Sequence, residues 1–207
     1  MEVRYDEGFL RSLEVDAPSL EGYLYPDTYK FSKGTKPETI FKRMVQRMKE
    51  NFNRPLRKRS EELGFSENEV LTLASIIERE ARHDIERPII SAVFHNRLKK
   101  NMRLQADPTV LYGVKNRWKR IRYSDLKRET PYNTYRFKGL PPGPIASPGI
   151  KSIRAALYPS DDAYLYFVAK NNGWHYFSES NAEHSKAVVQ YQLNGVKKIK
   201  KNRKSNN

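Results

Sequence analysis

Residues 101–149 lack the hydrophobic period that a helix or a strand requires. The segment is rich in Pro, Gly, Asn, Asp and Tyr, and Leu140–Gly149 alone holds four prolines. Because proline has no backbone N–H and clashes inside a helix, neither a helix interior nor a central strand accommodates this stretch. Irregular segments this long are usually functional or disordered. The interleaved Leu, Ile, Val and Tyr residues favour an ordered, packed loop region.

Regular elements are predicted on both sides of this segment. Ser66 and Glu69 form a capping-box pattern that opens a helix over 67–82, and Pro88 starts a helix that continues through Leu98. The other predicted elements are a strand–turn–strand over Leu20–Phe31, a helix capped at Thr35 that ends before Pro55, a short helix over Ile150–Tyr158, a hairpin of Tyr164–Lys170 with Trp174–Ser178, and a helix capped at Ser180. This order indicates an α+β fold, not alternating βαβ units.

The chain has 207 residues and a formal net charge of +15, which favours anionic partners such as nucleic acid, acidic lipids or wall polymers. Six of the eight residues of Lys197–Lys204 are Lys or Arg, so residues 196–207 are expected to form a solvated, disordered tail after a domain over 1–195. No nucleic-acid-binding motif accompanies the charge, and no nucleic-acid partner is expected.

Several chemistries are disfavoured by what the sequence lacks. The absence of cysteine excludes disulfides and thiolate metal sites. The four histidines, His83, His95, His175 and His184, form neither an HExxH motif nor a close ligand pair, so no metal and no cofactor are expected. No apolar run approaches the roughly 20 residues that span a bilayer, and the N-terminus does not resemble a signal peptide.

One carboxyl group is predicted on the buried face of the 67–82 helix. On a helical wheel centred on Ile77, Leu73 and Ala74 lie within about 60°, and Glu80 lies at about −60°, inside the apolar stripe. Glu78 falls near +100°, at the margin of the stripe, by the same spacing. Burial raises the pKa of a carboxyl, and a carboxyl that stays protonated near neutral pH can act as a general acid.

A second interpretation of Glu80 remains open at this point. Glutamates on amphipathic helices commonly lie at the boundary of the apolar face or pair with an arginine, and Arg82, Arg87 and Arg97 are available as partners.

Polar residues next to tyrosines indicate a sugar site in or beside the irregular segment. They are Asn96, Gln105, Asp107, Thr109, Asn133 and Thr134, with Tyr112, Tyr132 and Tyr135 nearby. Sugars need hydrogen bonds to hydroxyls and acetamides together with flat apolar faces for the ring. Each of these polar residues alternatively stabilises a turn through its own backbone contacts.

Several blocks of the sequence resemble the MltG/YceG-like endolytic murein transglycosylases. They are Glu21–Tyr29 (EGYLYPDTY), Ala74–Ala81 (ASIIEREA), Ala92–Leu98 (AVFHNRL), Met102–Gly113 (MRLQADPTVLYG) and Tyr132–Gly149 (YNTYRFKGLPPGPIASPG). The resemblance runs in order from about Leu20 to Tyr191. It implies a lysozyme-like helical catalytic core with β-hairpins and long ordered loops.

The resemblance also implies an activity and a set of site residues. Glu80 corresponds to the catalytic glutamate, and Asn96, Gln105, Asp107, Asn133 and Tyr135 are expected to bind substrate. The implied reaction cleaves the MurNAc–GlcNAc bond of nascent peptidoglycan and leaves 1,6-anhydroMurNAc ends, which terminates strand elongation. One departure is His95, which stands where the family usually has an apolar or aromatic residue.

The implied setting is the outer face of the bacterial cell membrane, with penicillin-binding proteins and other wall-synthesis proteins as partners. The family's membrane anchor and LysM-like region are not recognisable in the sequence, so the chain is interpreted as the catalytic fragment of an anchored protein. The alternative function is a non-catalytic peptidoglycan-binding scaffold of the wall-synthesis machinery.

Overall fold

The computed structural model describes residues 3–114 and 121–193, and within them the chain forms nine α-helices and one pair of strands. The predicted tail at 196–207 lies outside these residues. The elements in chain order are α1 (Glu7–Ser12), α2 (Pro37–Asn51), α3 (Arg54–Leu63), α4 (Glu67–Glu80), α5 (Arg87–Lys99), α6 (Asp107–Leu111), α7 (Tyr123–Leu126), α8 (Ile150–Leu157), β1 (Tyr166–Ala169), β2 (His175–Ser178) and α9 (Asn181–Val188). The predicted α+β class is confirmed.

Helix α4 lies at the centre of the core. Its start is fixed by the predicted capping box, in which Ser66 and Glu69 each accept a hydrogen bond from the other's backbone N–H. Every residue from Val70 to Ile77 is buried, because α4 packs most extensively against α8 and also contacts α3, α5 and α6. Because the middle of α4 is buried on all sides, only its two end turns reach a surface, and Glu80 lies in the C-terminal one.

The predicted hairpin over Leu20–Phe31 is wrong. Residues 20–31 form turns and extended chain without strand pairing. The Tyr25 N–H donates to the Met44 carbonyl at 3.4 Å, so this segment lies against α2 and not against a second strand. Leu20, Tyr23 and Tyr25 are buried. These apolar residues are spaced as they are because they pack on a helix. The same spacing in the sequence also predicts a strand in a sheet, so the sequence does not distinguish the two.

The predicted cap at Thr35 is also wrong. Helix α2 begins at Pro37 with Lys36 in the capping position and without a side-chain cap. The Thr35 hydroxyl instead donates to the Ser32 carbonyl at 2.7 Å and closes the preceding turn. Proline suits the first helical position because its fixed φ is helical and its missing N–H would have no partner inside the helix.

Replacing Gly22 with alanine is expected to destabilise the fold by about 2 kcal/mol or more. Gly22 has a φ of +86°, and an added Cβ would overlap the Cγ and Cβ of Pro144 in the proline-rich loop. Gly34 is the matched control, because its φ of +85° is nearly the same but nothing lies within 4 Å of an added Cβ. Thermal unfolding should show a clearly larger loss for Gly22→Ala than for Gly34→Ala. Equal losses would mean that contact with Pro144 adds nothing to the backbone strain.

The C-terminal hairpin and helix form as predicted. Strands β1 and β2 pair antiparallel, with Phe167 opposite Phe177. The turn between them uses left-handed backbone at Asn171 and Gly173, with φ of 64° and 94°. Helix α9 starts with the predicted capping box of Ser180 and Glu183. It packs on both strands and continues as a short π-helix over Val189–Leu193.

Candidate active site

Glu80 is the last residue of α4. The chain turns into an extended conformation at Ala81, so the Glu80 side chain extends past the edge of the core while its own helix holds it in place. Glu80 is partly buried and forms no ion pair within residues 3–114 and 121–193. The open alternative, pairing with Arg82, Arg87 or Arg97, is therefore not what the structure shows. Arg87 pairs with Glu78 instead, at 3.4 Å.

The pKa of the Glu80 carboxyl is raised to about 8, chiefly by burial and next by the nearby Asp107 carboxylate. Arg79 and the backbone N–H of Asp107 act in the opposite direction. The C-terminal end of a helix also disfavours negative charge, because the last carbonyls point toward it. Glu80 is therefore mostly protonated at neutral pH, as a general acid must be before the reaction.

Two cavities meet at Glu80. The larger, of about 750 Å³, and the smaller, of about 400 Å³, are both lined by Glu80 and Asp107. Each has room for at least one sugar ring, and the shared carboxyls lie between them. A polymer lying through both cavities would cross Glu80 at a bond between two of its units. This arrangement suits cleavage within a chain.

The larger cavity has aromatic and charged walls, and Arg79 is among its lining residues. Tyr5, Glu21 and Tyr112 line it together with Ile145 and Ala146. The rings of Tyr112 and Tyr132 lie 4.5 Å apart, and the Tyr112 hydroxyl donates to Glu21 Oε2 at 3.4 Å. Flat apolar surface beside a hydrogen-bonding carboxylate is what a sugar ring with its hydroxyls requires.

The smaller cavity lies between α5, the hairpin and α9. Its polar walls are Arg97, Gln105, Tyr135, His175, His184 and Gln192. The hairpin contributes its apolar side, including Phe167 and Val168. We name this space the hairpin-side cavity.

Asp107 and Tyr135 form a pair at the junction of the two cavities. The Tyr135 hydroxyl donates to Asp107 Oδ1 at 2.6 Å. Burial, and next the Asp107 charge, raise the pKa of Tyr135 far above its ordinary value, so its hydroxyl keeps its proton and remains a donor. This bond fixes the Asp107 carboxylate beside Glu80.

The loop before α6 is pinned to the loop that carries Tyr135. The Gln105 N–H donates to the Thr134 carbonyl at 3.1 Å, and the Ala106 N–H donates to Thr134 Oγ1 at 2.9 Å. Gln105 itself has a φ of +52°, a conformation that costs energy for a side chain other than glycine. The surrounding bonds hold this strained residue at the cavity wall.

The chain matches the model of the YceG-like family over residues 4–190. It belongs to the YceG-like family. A protein of Bacillus subtilis named endolytic murein transglycosylase is 41% identical over 204 residues, covering 90% of this chain and 56% of the relative. A Streptococcus pneumoniae protein of the same name is 32% identical over 178 residues, covering 83% of this chain and 32% of the relative. The chain thus spans about half or less of the length of these curated relatives.

A solved structure of a yceG-like protein from Listeria monocytogenes has the same fold. The two chains share 40% sequence identity with a TM-score of 0.80, over 89% of this chain and 64% of the Listeria chain. The family resemblance stated from the sequence blocks is therefore confirmed.

Three of the five substrate-binding residues expected for a YceG-like chain lie at the cavities. Gln105, Asp107 and Tyr135 line the hairpin-side cavity, and Asp107 also lines the larger one. Asn96 and Asn133 are outside the linings of both. The Asn96 amide donates to the carbonyls of Asp162 and Tyr164 at 2.8 and 3.0 Å.

Asn133 is fully buried beneath the site. Its amide donates to the carbonyls of Leu126 and Arg128 at 3.0 and 2.8 Å, and its Oδ1 accepts the Tyr135 N–H at 3.0 Å. The structure thus gives Asn133 a bond that orients the backbone of Tyr135. His95 is buried as well, with its Nε2 2.8 Å from the Ala156 carbonyl, so it joins α5 to α8 away from the cavities.

The sequence patterns do not predict that Glu21 and Arg97 line the two cavities beside Glu80. Glu21 belongs to the block EGYLYPDTY, but the strand–turn–strand predicted for this block gives no indication that Glu21 lies near Glu80. Arg97 was considered only as a possible partner of Glu80. Within the part of the chain that the structure describes, no group of three or more metal-ligating side chains occurs and no helix is long and apolar enough to span a bilayer.

Glu78 supports α8 and does not reach either cavity. Its Oε2 accepts the Gly149 N–H at 3.1 Å and the Ser152 hydroxyl at 2.8 Å, and its Oε1 pairs with Arg87. Glu78→Gln should lower the free energy of unfolding by about 1–3 kcal/mol, because charge-assisted bonds are lost, while folded molecules keep substantial activity. Thermal unfolding and turnover per folded molecule test this. Near-total loss of turnover in folded Glu78→Gln would reopen the choice between the two carboxyls.

Proposed function

We propose that this chain is the catalytic region of an endolytic lytic transglycosylase that cleaves the MurNAc–GlcNAc bond of peptidoglycan. The observation that carries the proposal is a protonated glutamate, Glu80, at the meeting point of two sugar-sized cavities. The names of the Bacillus and Streptococcus relatives, endolytic murein transglycosylase, support the same substrate and reaction.

In the proposed first step, Glu80 gives its proton to the oxygen that bridges the two sugars. The bond from the muramic C1 to this oxygen breaks, and GlcNAc leaves with a free 4-hydroxyl. Positive charge develops at C1 and the ring oxygen of the muramic acid. The Asp107 carboxylate, held by the Tyr135 hydroxyl at 2.6 Å, supplies a negative charge that stabilises this developing positive charge.

In the second step, Glu80 acts as a carboxylate. It takes the proton from the muramic C6 hydroxyl, whose oxygen attacks C1 and closes a 1,6-anhydro ring. Glu80 is protonated again, and no water is consumed. A single carboxyl can therefore supply both proton transfers, whereas hydrolytic glycosidases generally use two carboxyls.

The setting follows from the substrate. Peptidoglycan lies outside the bacterial cytoplasm, so we place the activity on the extracytoplasmic side, at the membrane where new strands are made. Penicillin-binding proteins and other synthesis proteins are the proposed partners, and termination of strand growth is the proposed outcome. Cleavage inside a strand is consistent with cavities on both sides of Glu80.

Digestion of purified glycan strands in water enriched in ¹⁸O tests the proposed function. A lyase step places no solvent oxygen in the product and yields anhydromuramic ends, which mass spectrometry separates from reducing ends by the mass of one water. Reducing ends that carry ¹⁸O would show hydrolysis. Strands that stay intact at every enzyme concentration would favour a binding scaffold.

A further inference from the structure

Arg97 is a buried cation at the wall of the hairpin-side cavity. It is 6% exposed, and it binds the protein through backbone carbonyls. Its Nε donates to the Leu165 carbonyl at 2.6 Å, and its Nη1 lies 3.0 Å from the carbonyls of Arg103 and Leu104 and from Gln105 Oε1. The guanidinium also lies over the Tyr166 ring, 5.1 Å from its centroid.

The charge of Arg97 is not neutralised by a carboxylate of the described chain. Residues 3–114 and 121–193 include no ion pair to Arg97, and its Nη2 makes no hydrogen bond within them. Buried charges in proteins are normally paired, because an unpaired charge is costly away from water. A cation held rigidly at a cavity wall without a counterion is suited to an anionic ligand.

His184 provides a second, independent indication of a ligand. It lines the same cavity, and its Nδ1 is buried without a hydrogen-bond partner in the described chain. Burial, and next the charge of Arg97, lower the pKa of His184, so its ring is neutral near pH 7 and can donate one hydrogen bond. The other imidazole of the cavity, His175, is already engaged, with its Nδ1 2.9 Å from Glu86 Oε2.

The two cavities therefore differ in charge. The larger one is lined by Glu21 and Arg79 in addition to the junction carboxyls, whereas the hairpin-side cavity is lined by Arg97 and, within the described chain, by no carboxylate beyond that junction. An anionic group in the hairpin-side cavity would bind against Arg97, whose charge attracts it, and not against Asp107, whose charge repels it. An asymmetric substrate would be bound in one direction only.

We propose that the hairpin-side cavity is the subsite for muramic acid, and that Arg97 and His184 recognise a carboxylate on its lactyl arm. The inference rests on the proposed function. MurNAc differs from GlcNAc by this arm, so a carboxylate site on one side of Glu80 fixes which sugar occupies that side. The negative charge is supplied either by the carboxylate of the lactyl group itself or, where a peptide stem is attached to that group, by the carboxylates of the stem.

Binding to the Glu80→Gln protein tests the subsite without cleavage of the ligand. The first probe is a glycan tetrasaccharide with stems removed and lactyl carboxylates free, compared with the same tetrasaccharide after conversion of these carboxylates to primary amides. The second is a stem-bearing tetrasaccharide, compared with its form in which the stem carboxylates are amidated. We expect the charged member of at least one pair to bind roughly tenfold more tightly by calorimetry, because a charge-assisted bond is lost in the amide. The pair that shows the difference identifies the source of the carboxylate.

A charge-reversal pair at Gln192 assigns the effect to this cavity. Gln192 is exposed, lines the cavity and lies on the π-helix after α9, so its replacement should not disturb the core. Gln192→Glu should reduce the ratio of the affinities for the charged and the amidated probe, and Gln192→Lys should increase it. The affinity for the amidated probe itself should change little in either variant. Arg97→Gln should abolish the preference, and if that variant does not fold, the Gln192 pair decides.

Equal binding of charged and amidated probes in both pairs would overturn the subsite assignment while leaving the cleavage reaction intact. Unchanged preference in both Gln192 variants would place the carboxylate elsewhere and also overturn it. If Glu80→Gln binds no glycan at all, the proposed function fails together with the subsite.

Discussion

Glu80→Gln is expected to lower the rate of anhydro-product formation by roughly 10²- to 10⁴-fold, the range that proton transfer by a positioned side chain contributes. Glutamine fills the same space at the end of α4 but has no proton to give and cannot accept one from the C6 hydroxyl. Chromatography of products from purified glycan, at saturating substrate, measures the rate. The matched control is Glu78→Gln, the same substitution two residues earlier, which should keep substantial activity.

Glu80→Gln should also be more stable than the parent at alkaline pH. The pKa of Glu80 is raised from an ordinary 4.5 to about 8 in the folded chain. Below pH 4.5 the carboxyl is protonated in both states and costs nothing. As the pH rises from about 4.5 to about 8, the unfolded chain ionises while the folded chain does not, so the parent loses stability. Glutamine cannot ionise and avoids this loss.

Thermal unfolding across pH tests the sign. The Tm of Glu80→Gln minus that of the parent should increase between about pH 4.5 and 8 and then level off, reaching several degrees. An activity loss together with this gain marks Glu80 as a residue kept for function at a cost in stability. Parental activity in the variant would show that Glu80 is not the catalytic acid, and a Tm advantage that does not depend on pH would show that its pKa is not raised in the folded chain.

Local signals in the sequence were sufficient for α4. The capping box at Ser66 and Glu69 set its first residue, and the apolar residues between Val70 and Ile77 placed the helix in the core, although the burial of Thr72 and Ser75 on the remaining face does not follow from that period. Both depend on residues within a few positions of each other, which is why they were predictable. The same argument holds for the Ser180 cap and for the hairpin closed at Asn171–Gly173.

Long-range contacts decided what the sequence could not predict. The Leu20–Tyr25 segment was assigned to a strand because its apolar residues alternate, yet its backbone pairs with Met44 of α2. The sequence offers Arg97 as a possible counterion of Glu80, but in the structure Arg97 donates to backbone carbonyls as distant in sequence as that of Leu165. Asn133 differs in that its partners are close in sequence, but they are the backbone carbonyls of Leu126 and Arg128, which no side-chain pattern reveals.

The position of Glu80 was predicted from the wheel, but its environment was not. A wheel places a carboxyl on a face and does not say what lies opposite. The Asp107 carboxylate that raises the Glu80 pKa comes from the irregular segment, and the loop of Tyr135 holds it there. The functional state of Glu80 thus depends on a region whose structure follows from tertiary bonds.

Asp107→Asn is therefore expected to shift the alkaline limb of activity to lower pH. Asparagine has the same shape and its Oδ1 can still accept the Tyr135 hydroxyl, so the geometry is kept while one negative charge is removed. That charge helps burial to raise the Glu80 pKa to about 8, so its loss must lower the pKa. Glu80 then ionises at lower pH, and the fraction that can act as an acid at pH 8 falls several-fold.

The dependence of kcat/KM on pH, measured with purified glycan, gives the Glu80 pKa of the free enzyme. Tyr135→Phe is the control, because it removes the 2.6 Å hydrogen bond to Asp107 but leaves the Asp107 charge. It should raise KM or lower kcat without moving the alkaline limb to lower pH. An alkaline limb that stays in place in Asp107→Asn would show that the Asp107 charge does not tune Glu80. A common shift in both variants would show that the position of Asp107, and not its charge, sets the acid.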